Sequence, residues 1–174
     1  MTLAFGAIRR HPLLAMIATP EISLAVRADA PRIAAMSRDL VEQGLGWRWT
    51  PSRILRVMRD RATNVAVARE GEGISGFGIM QYKDDEAHLL LLAVDPMRRR
   101  KGIGSALMAW LETTALTAGT GCIYLEARAR NAEARAFYGR LGYIEILTVR
   151  GLYSNSEDGI RIAKDLWSKP PSGG

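Results

Sequence analysis

From Glu21 onward the chain alternates between two periods of apolar and polar residues. Ile22–Arg27 reads as a strand. Asp29 then stands at the head of a helix whose positions Ile33, Met36, Leu40 and Val41 fall on one face, and Gly44 can end it. Gly46–Trp49 is an aromatic, glycine-containing loop. Thr50-Pro51 has the cap-then-proline form of a helix start, with Ile54, Leu55 and Met58 as the apolar stripe. Three strands follow. Asn64–Glu70 alternates, Ile74–Tyr82 carries Gly76 and Gly78, and Ala87–Val94 is apolar on both faces, as a central strand is. Glu70–Gly73 and Lys83–Asp85 are the turns between them. Ile103, Ala106, Leu107, Trp110, Leu111 and Thr114 stripe a longer helix that Gly119–Gly121 closes. Cys122–Glu126 reads as a strand, Asn131–Leu141 as a helix, and Gly142–Val149 and Ile160–Leu166 as strands. This order predicts an α/β (α+β) domain with a mixed sheet and helices on its faces.

The chain has 174 residues and a mass of 19.1 kDa, which suits one domain. The regular pattern covers residues 21–168, with an N-terminal extension over 1–20 and a loose tail over 169–174. In the extension, Arg9 and Arg10 precede the apolar stretch Leu13–Ala18, but an apolar start comes before them and Pro20 interrupts early; the order does not fit an export signal. No apolar run approaches the roughly 20 residues that span a bilayer, so no membrane partner is expected. The single cysteine, Cys122, excludes an intrachain disulfide and fits a reducing, cytoplasmic setting. Two histidines and one cysteine, far apart, give no metal-site spacing.

The net charge of +6 changes the picture in one place. Arg98, Arg99, Arg100 and Lys101 are consecutive, and Arg128, Arg130, Arg135 and Arg140 are relieved only by Glu133. Two compact clusters suit a small polyanion better than a nucleic-acid track. Within the first, Arg99-Arg100-Lys101-Gly102-Ile103-Gly104 lies between a buried strand and a helix. Glycines at 102 and 104 let a phosphate approach the main chain, and the free amides of the helix start point at the same place. The segment is neither a P-loop, lacking Gly-Lys-Ser/Thr, nor a G-x-G-x-x-G turn, since Leu107 occupies the third glycine position. Alone it is a weak signal that a plain basic loop also satisfies.

In combination the pieces say more. Leu92-Ala93-Val94-Asp95-Pro96, Arg99-x-x-Gly102-x-Gly104 and Asn131-x-x-Ala134-x-x-Phe137-Tyr138-x-x-Leu141-Gly142-Tyr143 occur in this order over residues 86–145. In this the sequence resembles the GNAT superfamily of acetyl-CoA-dependent N-acetyltransferases. The resemblance implies an N-acetyltransferase that moves acetyl to a primary amine, with acetyl-CoA as cosubstrate and no metal. It also implies a sheet in which two neighbouring strands splay apart to admit the pantetheine arm, here those ending near Val94 and Glu126. Leu92, Ala93 and Val94 would then pair with the arm. Arg99, Arg100, Lys101, Gly102, Ile103, Gly104 and Ser105 would hold the pyrophosphate. Asn131, Ala134, Phe137 and Tyr138 would complete the cofactor site from the following helix.

Asn131, Ala134 and Tyr138 share one helical face, so Tyr138 can reach the sulfur of a cofactor that Asn131 touches and protonate the leaving thiolate. A core tyrosine is the competing role. Leu125-Glu126-Ala127-Arg128-x-x-Asn131 is similar to a signature of RimI-like enzymes, which acetylate protein N-termini. The resemblance implies Glu126 as general base; a surface ion pair with Arg128 or Arg130 is its alternative. The paired tyrosines of those enzymes' substrate-side hairpin appear here as Leu152-Tyr153. Trp47 and Trp49 are candidates for the acceptor pocket, or core. His88 shares strand parity with Leu90, Leu92 and Val94 and is a reserve base if it faces the cleft, otherwise a structural histidine. Cys122 reads as apolar packing, and Ser105 lacks a triad. Three activities stay open: acetylation of protein N-termini, acetylation of a small amine such as a polyamine, amino acid or aminoglycoside, and CoA binding without catalysis. Homodimers are frequent in the family.

Overall fold

The computed structural model describes residues 20–154 and 156–168. The expectations for the N-terminal extension and the tail fall outside that range, apart from Pro20. The elements are β1 (Glu21–Leu24), α1 (Ala30–Leu40), α2 (Pro51–Val57), β2 (Thr63–Glu70), β3 (Gly73–Tyr82), β4 (Glu86–Val94), α3 (Ile103–Thr117), β5 (Cys122–Arg128), α4 (Ala132–Arg140), β6 (Ile144–Tyr153) and β7 (Glu157–Asp165). They form one seven-stranded sheet in the order β1-β2-β3-β4-β5-β7-β6. Every pairing is antiparallel except β4 with β5. The predicted order of elements is therefore the observed one, with boundaries moved by a few residues.

Each sheet face buries its own core. On one face Ile103, Leu107, Met108, Leu111 and Ala115 of α3, with Tyr138 of α4, pack on Ala66, Ala68, Leu89, Ile123 and Leu125. On the other, Ile33, Ala34 and Met36 of α1 and Ile54 of α2 pack on Val65, Val67, Phe77, Ile79 and Leu91. The β3 glycines are what let α3 lie close. A Cβ at Gly78 would come within 2.8 Å of Leu111 Cδ1, and one at Gly76 within 3.0 Å of the Ala93 carbonyl.

Two local departures matter. Asp29 occupies the N-cap position of α1 without capping it. Its carboxylate accepts the Val26 N–H at 2.7 Å and binds Arg69 of β2 through both oxygens, at 3.1 and 2.6 Å, pinning the entry of α1 to the sheet. Thr50 does cap α2, accepting the Arg53 N–H at 3.4 Å. The second departure lies in β4. Ile79 pairs with Leu91 but Met80 with Leu89, so Leu90 is an extra residue, a β-bulge. Pairing of β4 with β5 also ends at Leu89 and Leu125. Beyond that point the two parallel strands no longer share hydrogen bonds, and a gap opens in the middle of the sheet.

Candidate active site

The gap opens on the α3/α4 face into a cleft of about 780 Å³. Leu92, Ala93 and Val94 of β4 line it, together with Arg99, Arg100, Gly102, Ile103, Gly104 and Ser105, and with Asn131, Ala134, Phe137 and Tyr138. The structure thus gathers every predicted cofactor residue except Lys101. That side chain is exposed and does not line the cleft. Leu40, Ala132, Glu133, Ala136 and Arg140 join the lining although none was among the predicted cofactor residues; Arg140 and Glu133 belong to the second charged cluster.

The two cradle glycines have different reasons for being there. Gly102 has φ +78°, a left-handed conformation that favours glycine, and the space its Cβ would enter is open. Arg100 shares that conformation at φ 61°. Gly104 instead permits close packing, since a Cβ there would meet the Phe137 ring at 3.2 Å. The first main-chain hydrogen bond of α3 runs from Ala106 N–H to the Gly102 carbonyl at 2.9 Å. The amides of Ile103, Gly104 and Ser105 precede it and are spare donors at the positive end of a fifteen-residue helix. With Arg99 and Arg100 beside them, they fit the pyrophosphate of a CoA thioester. Asn131 caps α4, its Oδ1 accepting the Ala134 N–H at 3.0 Å. Its side-chain NH₂ remains to meet an acceptor in the cleft.

Tyr138 is 7% exposed and lines the cleft, and no described residue hydrogen-bonds its hydroxyl. Burial pushes the phenol's pKa well up, so it stays protonated throughout any working pH.

Glu126 lies on the opposite face. Ile123, Leu125 and Ala127 of β5 enter the α3/α4 core, which turns Tyr124, Glu126 and Arg128 to the other side. Its predicted alternative partners are not its partners, because Arg128 and Arg130 both bind Glu157. Instead Arg161 of β7 donates to Glu126 Oε1 through Nε and Nη2, at 3.2 and 2.9 Å. His88 Nε2 lies 2.6 Å from Oε2. The His88 contact foremost, and Arg161 after it, hold the Glu126 carboxyl below its usual range against the opposing effect of burial.

His88 therefore does not share a face with Leu92 and Val94. The bulge at Leu90 reverses the parity between them: Leu92 and Val94 pack on the α3/α4 core, while His88 is opposite Gln81 on the other side.

A second cavity, of about 180 Å³, lies on the α1/α2 face. Val41, Glu42, Leu45 and Trp49 line it from the α1–α2 loop, Leu91 from β4, and Leu152, Tyr153 and Ser154 from the β6–β7 hairpin. Of the two candidate tryptophans only Trp49 is there; Trp47 is exposed beside Arg38. The one carboxylate of the lining, Glu42, is consumed by Ser37 and by the amides of Arg48 and Trp49. Arg128 ties this loop to the sheet, donating to the Val41 and Gln43 carbonyls at 3.3 and 2.6 Å. Neither that role nor that of Arg161 has a local signal in the sequence; strand pairing creates both. Among the described residues no group of His, Cys, Asp and Glu is placed to hold a metal, and Cys122 is a free thiol that burial pushes up in pKa.

Comparison with known proteins places the fold in a family. The profile of the Acetyltransferase (GNAT) family matches residues 33–143. The [ribosomal protein bS18]-alanine N-acetyltransferase of Escherichia coli K12 is 35% identical over 111 residues, 64% of this chain and 74% of the relative. A crystal structure of the Escherichia coli ribosomal-protein-S18-alanine N-acetyltransferase superposes with a TM-score of 0.72 at 27% identity, covering 90% of this chain and 99% of that one. The crystal structure of Ard1 from Thermoplasma volcanium gives a TM-score of 0.75 at 25% identity, covering 86% and 99%.

Proposed function

The chain belongs to the GNAT acetyltransferase family, and on that premise we propose that it acetylates the N-terminal amine of a protein. One observation carries the reading. Adjacent residues of β4, Leu91 and Leu92, line different cavities on opposite faces of the sheet, at the point where β4 and β5 part. Acetyl-CoA supplies the acetyl group as a thioester, and the larger cleft carries the residues that fit it. The smaller cavity then receives the acceptor. Its volume and its apolar walls, Val41, Leu45, Leu91 and Leu152, suit a small first side chain followed by a peptide.

The two chemical groups fall on opposite sides of that gap. Tyr138 donates its hydroxyl proton to the leaving thiolate from the α4 side. The Glu126 centre serves the incoming amine from the α1/α2 side. The amine adds to one face of the thioester carbonyl and the thiolate leaves from the tetrahedral adduct, so an amine entering from the α1/α2 side and a sulfur held on the α4 side are each nearer to their own proton-handling group. The chain's contribution is to position two partners and manage those protons. A small polycation such as a polyamine or aminoglycoside requires spare carboxylates, and the one in the acceptor cavity is already bonded. The similarity to ribosomal-protein alanine N-acetyltransferases supports the same acceptor class.

The test is CoA release from acetyl-CoA against a panel of peptides with different N-termini, polyamines, aminoglycosides and amino acids, with Tyr138→Phe alongside. Turnover on a peptide N-terminus, reduced about 100-fold or more in Tyr138→Phe with acetyl-CoA still bound, is the expected result. Turnover on small amines alone overturns the acceptor assignment. Silence across the panel from a protein that binds acetyl-CoA overturns the activity.

A further inference from the structure

Both oxygens of Glu126 are engaged, and that bears on which group takes the proton from the amine. Oε1 receives two hydrogen bonds from Arg161, and Oε2 lies 2.6 Å from His88 Nε2. An ionised carboxylate accepts only, so the neutral imidazole must carry its hydrogen on Nε2 and donate it. Nδ1 is then a bare lone pair, and no described residue hydrogen-bonds it. The ring is held flat as well as turned: it stacks on Tyr124 at 4.3 Å between centroids and 15° between planes, and Arg161 lies over the same tyrosine ring at 5.4 Å. His88 keeps 22% of its side chain exposed, which leaves it open to water. It sits on the sheet face of Leu91, the β4 residue that lines the acceptor cavity.

We propose that His88 Nδ1 is the proton acceptor for the incoming amine, and that Glu126 is the residue that positions it, itself held ionised by Arg161. The proposal rests on the reading of this site as an N-acetyltransferase centre. Acetyl transfer from a thioester to an ammonium forms the N–C bond, breaks the C–S bond and frees one proton net. The ammonium loses two protons, and the thiolate takes one, from Tyr138. His88 Nδ1 takes the first ammonium proton before attack, through a water. The second leaves the nitrogen as the amide forms and, by way of solvent, replaces the proton that Tyr138 gave up; His88 then releases the first to solvent, which is the one proton freed net. A carboxylate bonded twice by a guanidinium and once by an imidazole is a poor base, whereas Nδ1 of the imidazole keeps a lone pair that no described residue engages. The titratable and charged groups facing His88 are Tyr124 and Glu126 from β5 and Arg161 from β7. From β3 the facing residue is the neutral Gln81, and Tyr153 of β6 approaches Glu126 from the hairpin.

The test has two readouts on the full chain. The first needs no activity. With only two histidines in the chain, ¹⁵N chemical shifts of the imidazoles assign the tautomer directly. His88 is expected as the Nε2–H form in the wild type and as a mixture in Glu126→Gln. An Nδ1–H tautomer in the wild type overturns the proposal. The second is the pH dependence of kcat/KM on whichever amine the wild type acetylates. In His88→Gln, kcat falls about 100-fold with the acetyl-CoA KM unchanged. The acid limb of the profile disappears, and added imidazole restores part of the rate. If His88→Gln keeps both the rate and that limb while Glu126→Gln loses them, the carboxylate is the base and the proposal fails. A wild type that acetylates no amine instead refutes the underlying function, which separates the two failures. If His88→Gln does not fold, the tautomer measurement on the wild type decides.

Discussion

Removing the Arg128 guanidinium tests whether the acceptor loop is held from the sheet. Arg128 follows Glu126 by two residues on the same face of β5. It donates to the Glu157 carboxylate at 3.1 Å and to the Val41 and Gln43 carbonyls at 3.3 and 2.6 Å. Its side chain is 15% exposed, so these bonds are poorly screened. Breaking a buried ion pair by deleting one partner costs about 3–5 kcal/mol. Here the loss is smaller, because Arg130 remains on Glu157 at 2.8 Å and the two freed carbonyls belong to a loop that water can reach. Arg128→Ala is therefore expected to lose about 2–3 kcal/mol, a fall in melting temperature of roughly 5–10 °C for a chain of this size. The loss is local to the wall of the acceptor cavity. Steady-state kinetics should show the acceptor KM raised about tenfold, the acetyl-CoA KM unchanged and kcat lowered less than either variant of the proton-handling residues lowers it. Arg128→Lys restores one bond but cannot span a carboxylate and two carbonyls, and falls between. A melting shift below about 2 °C with an unchanged acceptor KM would falsify the claim that this residue holds the loop.

Two further predictions probe the opposite ends of the molecule. Gly104→Ala places a methyl group 3.2 Å from the Phe137 ring and 3.6 Å from Val94 Cγ2; it should cost about 1–3 kcal/mol by overpacking and raise the acetyl-CoA KM several-fold, and an unchanged KM by calorimetric or kinetic titration refutes the packing role given to that glycine. Asp29 is the acid-sensitive point of the fold: burial opposes its charge, yet Arg69 and the Val26 N–H overcome this and hold its carboxyl below the usual range. A depressed folded pKa contributes stability above the ordinary carboxylate value of about 3.9, and that stability is lost as pH falls through the folded value. Denaturant melts of Asp29→Asn should thus fall below wild type at pH 7, with the two curves converging below about pH 4; a constant difference across that range contradicts the assignment.

What could be read from the sequence was whatever short-range pattern determines. The order of elements follows from hydrophobic period and from local signals such as Thr50-Pro51, and the cradle from the fixed spacing of Arg99, Gly102 and Gly104. The face of α4 follows from the separation of Asn131, Ala134 and Tyr138. All of these arise within a few turns of chain, and the structure keeps them. Strand pairing decided the rest. The extra residue at Leu90 is invisible in an apolar run, because leucine at four successive positions shows no parity, yet it puts His88 on the opposite face from Leu92 and Val94. Pairing of β5 with β7 sets Arg161 directly across from Glu126, thirty-five residues away, and in doing so converts an isolated acidic residue into one end of a histidine–carboxylate–arginine chain. Alternation along a strand says which residues share a side; only the register between strands says which of them touch.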